Sequence, residues 1–306
     1  MTDSNMLAMA HRNMRPGRAS LVGRVIRYAL RSWFRLSTLG ATAYRAPGET
    51  ELAQIESGFR ALDMPCEDLR LDVAEFSNFA IRFPFPSSYY DGLHGTLHVE
   101  KQLEHFVAWK LLGLEHADRG AYVDIAACAS PWARLLRNAG VDAYAIDLEV
   151  DAAFESLHYY RQENATQSTF VAGSIFGASL QCAFEMFVGE DDHGLIIELA
   201  RILAPGGRAV ISPLYTHTHP CYYQTPEFYG APVGDAGATA YVRRGAWGVQ
   251  ASRKYSPQTL RTRVWDVAMK HGLQPRLLVL RNKMDFGQDI YLHFVLVLEK
   301  PAGVFL

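Results

Sequence analysis

Residues 121 to 149, AYVDIAACASPWARLLRNAGVDAYAIDLE, constrain this chain more than any other stretch, because strand, turn, helix and strand follow one another within a single short span. Tyr122 to Ala127 is largely apolar without strict alternation, the pattern of a parallel strand covered on both faces. Ser130-Pro131 marks a helix start: the hydroxyl accepts from an orphan N–H of the first turn, and Pro at the first helical position gives up no needed donor. Trp132, Leu135 and Leu136 recur at helical spacing as far as Asn138, and Ala139-Gly140 ends the helix. Asp142 to Leu148 is a second strand with Asp147 at its carboxyl end. A carboxylate at the tip of the second strand of a βαβ unit stands where the hydroxyls of a nucleoside ribose are gripped; the alternative is that Asp147 caps a helix beginning near Asp151. Ala126, Cys128 and Ser130 stand where glycines would let a ligand approach bare backbone, which argues against a dinucleotide pyrophosphate site.

The stretch resembles the first two motifs of class I S-adenosylmethionine-dependent methyltransferases, with Asp124 opening a turn like Asp-x-Gly-x-Gly-x-Gly and Asp147 at the place of the second-strand acid. The form DIAACASPWARLL is similar to a variant subgroup related to bacterial sugar and natural-product O-methyltransferases. The resemblance implies an α/β, Rossmann-like class I methyltransferase fold, with a mostly parallel seven-stranded sheet and a terminal antiparallel hairpin. It implies S-adenosyl-L-methionine as cofactor, held by Asp124, Ala126, Ala127, Ser130 and Asp147. A helix from about Leu97 to Leu114 carries Glu100-Lys101 and Glu104-His105 and is similar to one that roofs the cofactor in the subgroup. That makes His105 a further candidate; the other reading is a plain amphipathic helix with Leu103, Phe106, Val107, Leu111 and Leu112 in the core. A third strand over Thr169 to Ala172 ends at Gly173-Ser174, where family members carry an acid for the adenine amine, so Ser174 joins the candidates.

LIIELARILAPGGRAVISPLY resembles the methyltransferase signature in which a helix ends in Pro-Gly-Gly before a further strand. Ala204-Pro205-Gly206-Gly207 stops the helix, and the glycines permit the positive φ that swings the chain into Arg208 to Pro213. The subgroup carries Glu-His-Phe on the preceding strand tip; here Glu185-Met186-Phe187 stands there, without the imidazole.

A hydrophobic share of 49% and a charged share of 20% place the chain among ordinary globular proteins. The net charge of −2 hides an asymmetry: seven Arg against one Asp in the first 40 residues leave about −8 for the rest. Basic residues gathered in one terminal helix rather than around the cleft argue against nucleic acid as a partner. No apolar run of membrane-spanning length occurs, and MLAMA is followed at once by His11 and Arg12 rather than by a secretory core. Cys66, Cys128, Cys182 and Cys221 have no CxxC spacing, so neither a disulfide framework nor a structural zinc site is expected, and a reducing cytoplasm fits.

Residues 1–60 read as an amino-terminal basic helical arm or cap, and 61–306 as a methyltransferase-like domain carrying an acceptor-binding insertion over 215–252. Within the arm, Ser20 to Leu36 is a helix with Arg24, Arg27, Arg31 and Arg35 on one stripe. It is either a cap with a solvated Arg face or a surface for a membrane, a partner or a second copy of the chain. Glu49 to Leu62 is helical, and Phe79, Ile81, Phe83 and Phe85 alternate as an extended segment. Asp151 to Asn164 reads as a helix, as does Ser256 to His271; Gln274 to Leu280 and Ile290 to Leu298 read as a hairpin at the sheet edge. The insertion, rich in Tyr, His, Pro and Gly, is a long structureless stretch of the kind that is usually functional.

These readings converge on transfer of a methyl group to a hydroxyl of a sugar, natural product or other small-molecule acceptor. Glu185, His193, His217 and His219 are the candidate bases, each able instead to serve as a cap or polar surface group, and no metal is expected. The alternative is a catalytically silent methyltransferase-like binding or scaffold subunit, suggested by the absent glycines and by Met186.

Overall fold

The computed structural model describes residues 21–86, 89, 99–115 and 120–302. They fall into two units: one from Glu56–Phe184, Glu190–Tyr215 and Pro257–Leu306, the other from the described residues of Met1–Ile55 with Glu185–Gly189 and Thr216–Ser256.

The larger unit is built on one sheet. Its strands in chain order are β1 (Cys66–Leu69), β2 (Ala121–Ile125), β3 (Ala143–Asp147), β4 (Tyr160–Gln162), β5 (Ile175–Gln181) and β6 (Leu203–Ser212), then, after three strands of the smaller unit, β10 (Gln274–Leu280) and β11 (Phe294–Glu299). Their spatial order is β1-β10-β11-β6-β5-β2-β3-β4. The pairs β2–β3, β2–β5, β3–β4, β5–β6 and β1–β10 are parallel, and β11 is antiparallel to both neighbours. The order reverses between β2 and β5, and carboxyl tips on either side of such a switch point form a ligand crevice. Val123, Ile125, Ala178, Leu180, Val210 and Ile211 are buried, as continuous apolar parallel strands require. Helices α2 (Glu49–Ala61) from Glu56 on, α3 (Val73–Arg82), α4 (Val99–Leu112), α5 (Trp132–Asn138) and α6 (Asp191–Ile202) belong to this unit, together with α7 (Pro257–Leu260), a π turn at Arg261–Trp265, and α8 (Asp266–Lys270).

This is the expected Rossmann-like order of a mostly parallel α/β sheet, with corrections. The sheet has eight strands, because Cys66–Leu69 pairs parallel to β10; the β10–β11 pair is therefore not the edge. The chain from Asp151 is no helix: Asp151 Oδ1 takes the Ala153 N–H at 2.9 Å in a turn, and the third parallel strand is Tyr160–Gln162. Thr169–Ala172 forms no strand either, because side chains claim the local polar groups: Glu163 accepts both the N–H and the hydroxyl of Thr169, and Arg201 Nη1 donates to the Phe170 carbonyl at 2.8 Å. Nor is the Phe79–Phe85 run all extended. Asp72 Oδ1 accepts the Glu75 N–H at 2.8 Å and starts α3, and Phe79 and Phe83, four residues apart, both bury against Trp132. The first residues of the helix expected from about Leu97 and the MLAMA stretch lie outside the described residues.

Pro-Gly-Gly works differently from a simple helix stop. β6 already begins at Leu203, and the ladder shifts register between Ile175 and Gly177. Gly206, at φ +79°, donates its N–H to the Lys300 carbonyl at 2.7 Å. A Cβ on Gly207 would stand 2.9 Å from the carbonyl oxygens of Ala204 and Phe176.

In the smaller unit, α1 (Leu21–Ser37) carries Arg31 and Arg35 over the Trp247 ring at 5.1 and 5.4 Å. The 215–252 segment is not structureless. It holds β7 (Cys221–Gln224) and β8 (Thr239–Val242), which form a sheet in the order β8-β7-β9 with β9 (Ser252–Lys254). A buried Arg253–Asp235 ion pair and an Arg244 guanidinium bonded to the carbonyls of Thr38, Leu39 and Ala41 tie its loops down. The expected arm, as far as Ile55, and most of the expected insertion thus belong to one unit. Among the described residues no helix is long and apolar enough to cross a membrane.

Candidate functional site

The crevice of the larger unit starts at the turn after β2. Asp124 points inward from the strand and is fully buried, with Ser130 Oγ donating to its Oδ2 at 2.8 Å. The same Ser130 oxygen accepts the Trp132 N–H at 3.2 Å, so the anticipated cap is present and also carries the buried acid. Burial pushes the Asp124 carboxyl up to about 7; the Ser130 bond opposes this, and Asp147 adds to it through like charge. Tyr160, on β4, donates its hydroxyl to the Ser130 carbonyl at 2.7 Å and holds the turn from the far side.

Between these anchors the backbone turns left-handed twice, at Ala126 (φ +56°) and Cys128 (φ +46°). Both residues carry a Cβ in a region that costs L-residues of order 1–3 kcal/mol and that surrounding structure must enforce. The glycine-type path is therefore kept without glycine. Asp147, half-buried at the tip of β3, holds it in place: Oδ2 accepts the Cys128 N–H at 2.7 Å and Oδ1 accepts the Glu149 N–H at 3.0 Å. Asp147 thus buttresses its own loop and does not cap a helix at Asp151. Burial raises its carboxyl above the ordinary value, against the pull of its backbone donors.

Helix α4 packs beside the turn, with His105 5.1 Å from the Trp132 ring. His105 is buried, stacked at 4.9 Å on Phe85, with Nε2 3.0 Å from the Tyr89 hydroxyl. Burial pushes it down to about 3, so it is neutral at physiological pH, and its Nδ1 has no hydrogen-bond partner among the described residues. Leu103, Phe106, Val107 and Leu112 are buried, as the core reading of this helix expects, and His105 is buried with them.

The residue before His105, Glu104, is wholly buried and gathers groups from four separate segments. Lys101 Nζ donates to it at 3.0 and 3.2 Å, the Tyr291 hydroxyl at 3.0 Å, and the Cys182 thiol at 3.3 Å, while Tyr215 Oη lies 3.0 Å from that sulfur. Cys182 follows β5 directly at φ +51°, Tyr215 lies three residues beyond β6, and Tyr291 lies three residues before antiparallel β11. All three therefore stand at the carboxyl edge of the central strands. Tyr291 is itself exposed and stacks on Tyr215 at 5.9 Å. Burial raises the Glu104 carboxyl, opposed by Lys101; neighbouring Glu100, which accepts the N–H groups of Tyr291 and Leu292, is pushed up to about 8 by burial and by Glu104. Sequence reading missed this cluster. Its one signal was Glu100, Lys101 and Glu104 close together at the start of a helix whose second half is mostly apolar.

Of the cofactor candidates, Asp124, Ala126, Ala127, Ser130, Asp147 and His105 lie on the turn, the adjoining strand tips and α4. Ser174 does not: it precedes β5, at the amino end of the sheet, and its hydroxyl is spent on the Val171 carbonyl at 2.7 Å. Among the base candidates, His193 opens α6 with Nδ1 2.7 Å from Glu190. Glu185 sits in a 3-10 turn, Phe184–Met186, and not on a strand tip. Glu185, His217 and His219 belong to the smaller unit, where the two imidazoles lie 4.3 Å apart.

No family model matches the chain, and no curated protein matches it. Solved structures do. The chain is similar to an S-adenosylmethionine-dependent methyltransferase from Methanosarcina mazei (14% identity, 63% of this chain and 98% of that one, TM-score 0.44). It is similar to 1,6-didemethyltoxoflavin-N1-methyltransferase from Burkholderia thailandensis, solved with its acceptor and S-adenosylhomocysteine (14%, 78% and 95%, TM-score 0.46). It is also similar to an S-adenosylmethionine-dependent methyltransferase from Mesorhizobium loti (15%, 62% and 96%, TM-score 0.40).

Proposed function

We propose that the larger unit binds S-adenosyl-L-methionine and directs its methyl group to a hydroxyl of a sugar or another small molecule. The observation that carries this reading is the strained left-handed turn at Ala126 and Cys128, held by Asp147 at the tip of a parallel strand. Strain of this kind persists where a site needs the backbone shape. The residues suit a nucleoside: Asp147 has lone pairs beyond those given to Cys128 and Glu149 with which to accept ribose hydroxyls, and Nδ1 of His105 is a buried polar atom without a partner among the described residues. When bound, the cofactor supplies an electrophilic methyl group. The chain's own contribution is alignment, with Tyr291 and Tyr215 as an aromatic surface for the acceptor and Glu104 receiving the proton that an acceptor hydroxyl gives up, relayed through the Tyr291 hydroxyl. Lys101 orients that carboxylate and opposes the rise in proton affinity that burial imposes on it.

The silent-scaffold reading draws on the same residue, since both oxygens of Asp147 already serve the loop. Calorimetric titration of the full chain with S-adenosylmethionine and S-adenosylhomocysteine separates the two. Binding, followed by S-adenosylhomocysteine release with hydroxylated acceptors but not with amines, is the expected result; absence of binding to either ligand overturns the proposal.

A further inference from the structure

His217, His219 and Cys221 occupy alternate positions on a stretch that bends at Thr218-His219 before entering β7 at Cys221, and the bend brings imidazole, imidazole and thiol together. One ligating atom from each lies within 4.8 Å of the other two. Both Nδ1 atoms face Thr218 Oγ1, each at 3.3 Å, long for a hydrogen bond to a hydroxyl. The rings are anchored elsewhere: His219 Nε2 is 3.0 Å from the Tyr241 hydroxyl, and His217 also hydrogen-bonds the Arg45 backbone. Fixing one edge of each ring to an oxygen while the other edge meets its neighbours is how proteins orient ligating histidines.

We propose that His217, His219 and Cys221 form a binding site for a zinc-class divalent ion, with the fourth tetrahedral position left to water or to a heteroatom of a small ligand. Two imidazoles and a thiolate are a borderline-soft set that suits zinc and disfavours magnesium or calcium. Bond lengths of about 2.0–2.3 Å to a tetrahedral centre put ligand atoms roughly 3.3–3.8 Å apart, so the three groups need to close by about 1 Å, within reach of side-chain rotation. The thiol gives its proton to solvent as the metal–sulfur bond forms. Lys254 is the nearby cation acting on Cys221; its Nζ is held by Ser252 Oγ at 2.9 Å and lies over the Tyr223 and Tyr44 rings at 5.0 and 5.8 Å, so its charge is spread over those π faces. The competing account is a plain hydrogen-bonded His pair about Thr218. The site lies within the smaller unit, and the inference does not depend on methyl transfer.

The test is cobalt(II) titration of full-length protein purified without a polyhistidine tag and stripped by chelator. One equivalent should bind with the intense visible bands of tetrahedral cobalt and a near-ultraviolet thiolate charge-transfer band, both abolished by zinc. Cys221→Ser should remove the charge-transfer band, whereas Cys66→Ser and Cys128→Ser keep it. His217→Gln and His219→Gln should each weaken binding by at least roughly 10-fold, the loss that even outer-shell partners cause. Circular dichroism reports folding; should Cys221→Ser unfold, the two His variants and the wild-type spectrum decide. No thiolate band at stoichiometric cobalt, or a band and affinity untouched in the folded variants, overturns the site.

Discussion

The backbone N–H of Cys128 donates to Asp147 Oδ2 at 2.7 Å, joining the turn after β2 to the tip of β3 across 19 residues of sequence. One carboxylate thereby shapes the floor of the crevice and offers its remaining lone pairs to a ligand. On the proposed cofactor reading, strain at Ala126 and Cys128 and affinity for a nucleoside are coupled through it.

Asp147→Ala should weaken S-adenosylmethionine binding by roughly 10- to 150-fold, since hydrogen bonds to a charged acceptor contribute about 1.5–3 kcal/mol. Judged by the residue's position alone, the apo protein would keep its stability. The bonds to Cys128 and Glu149 change that expectation to a loss of about 1 kcal/mol, read by urea denaturation without ligand.

Ala126→Gly and Cys128→Gly should each stabilise the apo protein by about 1 kcal/mol. Glycine adopts positive φ without the Cβ clash, and that relief exceeds its extra entropy in the unfolded chain. Unchanged or lower urea midpoints in both variants would show that the turn carries no strain.

Asp124 sets a pH dependence. Its folded carboxyl titrates near 7 against 3.8 for the free group, because burial disfavours the charge. The folded state thus binds the proton more tightly, and this contribution to stability is full below pH 3.8 and lost as pH rises towards 7. Asp124→Asn should flatten the urea midpoint over that window; a wild-type slope in the variant would rule out Asp124 as its source.

Glu104→Gln should lower methyl transfer by roughly 10²- to 10⁴-fold, the usual contribution of general acid–base help, while calorimetric affinity for S-adenosylmethionine stays within a few-fold. Tyr291→Phe should reproduce part of the loss. Equal turnover in both variants would remove the cluster from the mechanism.

Gly207→Ala should destabilise more than Gly206→Ala. The first pushes a Cβ to 2.9 Å from two backbone carbonyl oxygens that cannot withdraw; the second meets open space and suffers only its φ of +79°. Losses of about 3 and about 1 kcal/mol are expected from thermal melts.

The local devices were legible in the amino-acid sequence: the βαβ unit at 121–149, the Ser130-Pro131 helix start, Asp147 at a strand tip and the Gly206 turn. Each rests on contacts within a few residues or on a period that the chain imposes by itself. Tertiary structure decided the rest. Cys66–Leu69 is a strand because β10 lies beside it, more than 200 residues away, and Thr169–Ala172 is not one because Glu163 and Arg201 take its polar groups. Short strands have little preference of their own and follow their neighbours. The same holds for chemistry: Glu104 reads as one more acid on a helix until folding buries it against Lys101, Cys182 and Tyr291. The proton affinity of a carboxylate follows from desolvation and nearby charge, and both are set by residues far apart in the chain.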